Sequence, residues 1–249
     1  MKKIWAIADL HLSFGIPNKE MDPFGEHWKH HYDKIEAHWR SCIQPEDLVL
    51  VAGDISWAMK LEEVAADLNW IASLPGTIII SKGNHDYWWN SLKKMNQITP
   101  PNIRYIYNNA LLWNDVALGG TRLWDYPGIS FNAFIEKKEN KREKLPETPT
   151  SPEENQKIYD RELQRLELSL KQMDPQAKVK IAMIHYPPVN AAMDPSPVSD
   201  LLEKYGIDIC VFGHLHNVKK DSLPFGEKRG VKYYLTACDY LDFKPLQIL

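Results

Sequence analysis

The chain has 249 residues, enough for one large α/β domain or two small ones. Hydrophobic residues make up 44% and charged residues 25%, the balance of a globular chain with a full core. A net charge of −3 carries no basic bias, so bulk attraction to nucleic acid or an anionic membrane is not indicated; no apolar run approaches the roughly 18 residues of a membrane span.

The N-terminal stretch "MKKIWAIADLHLS" opens like a signal peptide, but Asp9 and His11 break its short apolar run. It is expected to form a first strand over 3–9. A helical pattern over 26–42 follows, with His27 and His31 four residues apart. The carboxylate that accompanies such a pair in metalloproteases is missing, so a solvated helix face is expected, or a pocket wall. "LVLVAGD" (48–54) reads as the second strand and ends in Gly53-Asp54. A helix is predicted over 60–73. "TIIISKGNHD" (77–86) is the third strand, ending in Gly83-Asn84-His85-Asp86, with a helical pattern over 88–96.

The run "YIYNNALLWNDVALGGTRLW" (105–124) reads as a strand pair turning at Asn114-Asp115. The Pro- and charge-rich segment 125–152 is expected to be a surface excursion or lid, and its run "EKKENKREK" a solvated helix or mobile lid. A helix over 153–173 has Ser151 as its cap, Pro152 in its first turn, and Glu153 and Glu154 at its positive end. "VKIAMIH" (179–185) is a strand ending in His185. A helix over 197–204 leads to "IDICVFGH" (207–214), which runs on into Leu215 and His216. "KYYLTACDYLDFKPLQIL" (232–249) reads as a second strand pair, turning at Asp239-Tyr240. The five main apolar runs suit strands buried on both faces. A single domain, 1–249, with one excursion is the economical arrangement. Cys42, Cys210 and Cys238 are odd in number and far apart, with Cys210 and Cys238 expected as buried strand residues. No disulfide framework is expected, and a cytoplasmic location fits.

The chemistry gathers at the strand ends. Asp9 and His11, Asp54, Asn84 and His85, His185, and His214 and His216 each follow an apolar run. In open α/β sheets ligands bind at that edge. Carboxylates, an amide and imidazoles without a thiolate form an N/O ligand set suited to Mn, Fe, Zn, Ni or Co. There are too many for one tetrahedral zinc and enough for two metals sharing a carboxylate.

The ordered blocks D-x-H, GD, GNHD, H and GHLH, from Asp9 to His216, resemble the calcineurin-like metallophosphoesterase superfamily. The resemblance implies an α/β fold of two mixed β-sheets sandwiched together and flanked by helices, in four layers. It implies two divalent or mixed-valence transition metal ions, one held by Asp9, His11 and His216, the other by Asn84, His185 and His214, with Asp54 bridging. A metal-bridging hydroxide would attack phosphorus while His85 assists the leaving group.

Two departures argue against the protein Ser/Thr phosphatases of that superfamily. "GDISWAMK" lacks their phosphate-clamping arginine, and Asp86 stands where they carry Glu. The expected substrate is a small or nucleotide-like phosphomonoester or phosphodiester. The alternatives are a nuclease or a cyclic-nucleotide phosphodiesterase, or a non-catalytic metal-binding scaffold. Arg122 is a candidate substrate contact, since its guanidinium suits a phosphate. Trp57, Trp88, Trp89, Trp124 and Tyr186 neighbour the motif loops and either stack on substrate or pack the core.

Overall fold

The computed structural model describes residues 2–126, 128–136, 151–220, 222 and 225–249. Half of the expected excursion, 137–150, lies outside the described residues, including nearly all of its mixed-charge run.

The first sheet contains β1 (Ile4–Ile7), β2 (Leu48–Ala52), β3 (Thr77–Ser81), β4 (Ile103–Ile106) and β11 (Leu246–Gln247). Its order is β11-β1-β2-β3-β4, parallel except for antiparallel β11 at the edge. The second contains β5 (Ala110–Trp113), β6 (Val116–Thr121), β7 (Val179–Ile184), β8 (Ile209–Phe212), β9 (Glu227–Lys228) and β10 (Val231–Leu235). Its order is β5-β6-β7-β8-β10-β9, with antiparallel strands only at its two edges. Both sheets are mixed, as the resemblance implies.

Strand side chains alternate between faces, so a continuous apolar run feeds two cores at once. In β1, Ile4 and Ala6 join a cluster between the sheets, where Leu50 and Ile79 meet Leu118, Ile181, Met183 and Val211. Trp5 and Ile7 point the other way, toward α1 (His31–Cys42) and α2 (Leu61–Ala72), which contribute Ile35, Trp39, Val64 and Leu68. The outer face of the second sheet packs on Leu166 and Leu170 of α4 (Pro152–Lys171) and on Val198 and Leu202 of α5 (Pro197–Lys204). A four-residue helix, α3 (Leu92–Met95), lies within the expected 88–96 region. The four layers are helix, sheet, sheet, helix.

The α4 cap forms as its sequence dictates: the Ser151 hydroxyl accepts the Glu154 N–H at 3.1 Å, and Pro152 fills the first turn. Several expectations need correction. The helix expected over 26–42 begins only at His31, because Glu26–Trp28 form a separate 3-10 turn and His30 takes a left-handed conformation at φ 49°. His27 and His31 therefore share no helix, and His31 is buried, its Nε2 hydrogen-bonded to the Leu10 carbonyl at 2.8 Å. The run 232–249 is not a strand pair: β10 adds to the second sheet and β11 to the first. Cys238 is buried in the turn after β10, while Cys210 lies in β8 as expected. The pair turning at Asn114-Asp115 does form, as β5 and β6, but Tyr105 and Ile106 belong to β4 in the other sheet.

Candidate metal centre

The two sheets are joined where their parallel strands end. The Ala8 N–H donates to the Thr236 carbonyl at 2.7 Å, and the Cys238 N–H donates to Ala8 at 3.0 Å. The residue after β1 is thereby stitched to the segment after β10. Asp9, His11, Asp54 and His214 all take positive φ, at 60°, 45°, 52° and 72°. Non-glycine residues adopt that conformation at an energetic cost, and such residues concentrate at functional sites. Close approach also requires small residues. A Cβ on Gly83 would overlap the Asp54 carboxylate and backbone, and one on Gly213 would overlap the Asp9 carboxylate.

Every metal-site residue expected from the sequence is brought into this one cluster. Among the described residues, Asp9, His11 and His216 place ligand atoms within 4.8 Å of one another, as do Asp9, Asp54 and His185. Asn84 Oδ1 lies 2.8 Å from His185 Nε2 and 3.1 Å from His214 Nδ1. Asp9 thus stands between both groups, not in the first alone. His85 is adjacent: its backbone N–H donates to Asp54 Oδ1 at 2.8 Å, and its Nε2 lies 4.0 Å from Asp54 Oδ2.

The donor set fits cations. Asp54 Oδ2 is buried and accepts no hydrogen bond. Instead the Nε2 atoms of His185, His11 and His85 surround it at 3.5, 3.8 and 4.0 Å. Donors bound at about 2.1 Å around one ion stand roughly 3 to 3.5 Å apart, which is the shorter end of this spacing. Ring orientation adds a second sign. His185 Nδ1 donates to the Ala52 carbonyl at 3.0 Å, which turns Nε2 toward the Asn84 acceptor oxygen. His216 Nδ1 donates to Asp239 Oδ1 at 2.9 Å, which turns its Nε2 toward His11 Nε2 at 3.1 Å. In the neutral rings two electron-pair donors would face each other, as ligands facing a shared cation do.

The electrostatics of the cluster are set by burial and by its own charges. Burial works to raise the Asp54 carboxyl, but the His185, His11 and His85 rings hold it well below its ordinary range. Burial opposes protonation of His185, yet Asp54 lifts it to about 9. Against the same opposition, Asp239 lifts His216 to about 9. Burial lowers His11 well below its ordinary value and, with the neighbouring His185 charge, lowers His214 to about 3. Burial raises Asp9 to about 7.

Several neighbours resolve as structure. Asp86 accepts the N–H groups of Gly83, Asp54, Ile55 and Ser56 at 2.8 to 3.3 Å, and the Trp88 indole at 3.0 Å. Trp88 and Trp89 are core residues, with Trp89 edge-on to Tyr105. Trp57 is different: its ring lies 4.9 Å from that of His11 and 4.6 Å from that of His85, forming a wall of the centre. Beside His214, a cavity of about 300 Å³ is walled by Trp124, Tyr126, Phe131 and Tyr186. The Arg122 guanidinium is 3.9 Å from Glu162 and 4.8 Å from the Trp124 ring. Nothing in the sequence singled out Asp239. Its only signal was an acidic residue in a presumed turn.

Carboxylates and imidazoles that could hold a metal ion thus converge at the carboxyl ends of the parallel strands of both sheets. The chain belongs to the calcineurin-like phosphoesterase family, whose family model matches residues 2–218. It is a hydrolase acting on phosphoester bonds. No curated protein matches it. Among solved structures it is similar to the phosphopantetheinyl hydrolase of Mycobacterium tuberculosis, at 17% identity and a TM-score of 0.56, covering 100% of this chain and 96% of the other. A protein of unknown function from Aquifex aeolicus also matches, at 16% identity and a TM-score of 0.48, over 99% of this chain and 96% of the other.

Proposed function

We propose that the chain is a two-metal phosphoester hydrolase acting on a small or nucleotide-like substrate. The observation that carries this is the Asp54 carboxylate, buried without a hydrogen-bond donor on Oδ2 and faced by three imidazole Nε2 atoms. Asp9, His11 and His216 would hold one ion, and Asn84, His185 and His214 the other, with Asp54 shared. When bound, such ions supply a hydroxide nucleophile near neutral pH and neutralise charge on the phosphoryl oxygens.

The chain's own groups do the rest. Ala52 and Asp239 fix the ring orientations of His185 and His216 through their Nδ1 atoms. His85 has a half-open side chain, 30% exposed against 0% for His185, so it can reach a leaving group. Protonated at Nε2, it would donate that proton to the departing oxygen. Its backbone N–H to Asp54 Oδ1 fixes the loop from which it acts. The aromatic cavity beside His214 supports a planar organic group, since aromatic faces stack on bases.

The test pairs metal analysis of the purified protein with a phosphate-release screen over nucleotides, sugar phosphates, p-nitrophenyl phosphate and its bis-ester. About two transition-metal ions per chain and turnover of at least one phosphoester class are expected. One ion, or none, in active protein would overturn the two-metal assignment.

A further inference from the structure

A second cavity, of about 210 Å³, flanks the centre and is lined by Lys82, Thr121, Arg122, Arg161, Glu162 and Arg165 among others. Its place follows from the chain. Lys82 is two residues before Asn84, so their Cα atoms are at most about 7 Å apart. The Arg122 carbonyl accepts the N–H groups of His185 and Tyr186 at 3.1 and 3.2 Å. Thr121 ends β6, beside the end of β7.

The cavity holds four cationic side chains and a single carboxylate, Glu162, which is 2% exposed. Three guanidinium groups address one oxygen of it: Arg165 Nη1 at 2.5 Å, Arg122 Nη2 at 3.9 Å and Arg161 Nε at 4.0 Å from Oε1. The Thr121 hydroxyl occupies the other, donating to Oε2 at 3.1 Å. Lys82 is half-buried, and among the described residues no carboxylate lies within ion-pair distance of it. One carboxylate therefore leaves an excess of three positive charges around a water-accessible space. Each guanidinium carries five donors in a planar fork, and most of those here remain available. Packing like charges together costs Coulomb energy that a bound anion relieves. At roughly 30 Å³ per water, the space accommodates a phosphate group.

Building on the two-metal reading above, we propose that this cavity is an anion subsite for a second phosphate of the substrate. Preferred substrates would carry two phosphates, one at the Asp54 cluster and one held between Lys82 and the arginines.

The test titrates the full-length, metal-loaded protein with propylphosphonate and with alkane-α,ω-diphosphonates of increasing chain length, by calorimetry. At the optimal length, the diphosphonate is expected to bind about 10-fold to 100-fold tighter than propylphosphonate, the gain of one or two charge-assisted hydrogen bonds. In Lys82→Gln/Arg161→Gln that advantage should collapse to within about 3-fold. Arg161→Gln alone serves as a second variant; Arg161 is 56% exposed, so folding does not depend on it. An advantage that persists in both variants overturns the subsite. Two propylphosphonates per chain, with no gain from linking, would mean the cavity takes free phosphate instead, and that too overturns it. If propylphosphonate fails to bind wild type at all, the metal-centre reading falls together with the subsite. Binding without any gain from the second group sinks the subsite alone.

Discussion

His85 Nε2 lies 4.0 Å from Asp54 Oδ2, yet the two residues are expected to fail differently when changed. Asp54 Oδ2 is faced by three rings, so Asp54→Asn weakens the charge that holds any ion there. The variant is expected to purify with little metal and almost no activity. His85→Ala removes a ring that the proposed ion sites do not need. It is expected to keep its metal while kcat falls by about 10²–10⁴-fold, the usual worth of a positioned acid. Elemental analysis beside steady-state kinetics separates the two, and a metal-free His85→Ala would refute the division of roles. Asp239 acts through another residue, since it accepts from His216 Nδ1 at 2.9 Å and from the Asn217 N–H at 2.9 Å. Asp239→Ala should weaken one ion site by about 10–100-fold, and Asp239→Asn should recover part of that because its amide oxygen still accepts. Metal titration against a chelator reads both variants. Asp239 was not legible from the chain because its role depends on a contact with a residue 23 positions away. That the seven expected ligands come together was legible because each lies within four residues of a strand's end, which the apolar run announces.

At the scale of elements, loops are held by buried acids rather than by strand pairing. Asp86 gathers five donors from the loops after β2 and β3. Asp86→Ala leaves those N–H groups buried without a partner. It is expected to lower unfolding stability by about 3 kcal/mol or more, seen as a lower urea midpoint. Asp67, on α2, ties the loop after β1 to the loop after β2 by accepting from the Phe14 N–H at 2.7 Å and from the Ser56 hydroxyl. Burial raises its pKa to about 6, only partly offset by those donors. An acid whose folded pKa exceeds its unfolded value favours the protonated fold, so this contribution is full at low pH. It is lost as pH rises from about 4 to about 6, and is then constant. Between pH 4 and 7, wild type should lose about 2–3 kcal/mol more stability than Asp67→Asn, measured by denaturation in matched buffers. Parallel curves for the two proteins would show that Asp67 does not titrate in that window. The five main strands were readable from the chain because both their faces are apolar, whereas the exposed Glu227–Lys228 pair of β9 carried no such signal. Strand partners were less so: β10 and β11 are close in sequence but join different sheets, and residue pattern carries no signal for that.

At the scale of the whole molecule, the sandwich forces three carboxylates (Asp9, Asp54 and Asp239) and five imidazoles into one water-poor corner, and this couples metal binding to protons. Without cations the corner balances itself internally. Asp54 stays ionised among rings, while Asp54 and Asp239 keep His185 and His216 protonated to about pH 9, and Asp9 holds a proton to about pH 7. A metal ligand must be deprotonated, so each ion that binds must displace some of these protons. The sign follows directly. Between pH 6 and 9 the empty cluster carries more protons than the loaded one, so affinity should rise with pH throughout that range. Each proton released per ion adds about one tenfold step in affinity per pH unit. Calorimetric titration of stripped protein with Mn²⁺ or Zn²⁺, repeated in buffers of different ionisation enthalpy, counts those protons. At pH 7 a release of one or more per ion is expected, and the count should decline toward pH 9 as His185 and His216 lose their protons unaided. Thermal stability should follow the same course. The melting temperature gain on adding metal should be larger at pH 8 than at pH 6, because ligand binding to the folded chain stabilises it in proportion to affinity. A gain that is equal at both pH values, with no proton release, would mean that the ions bind somewhere other than this corner.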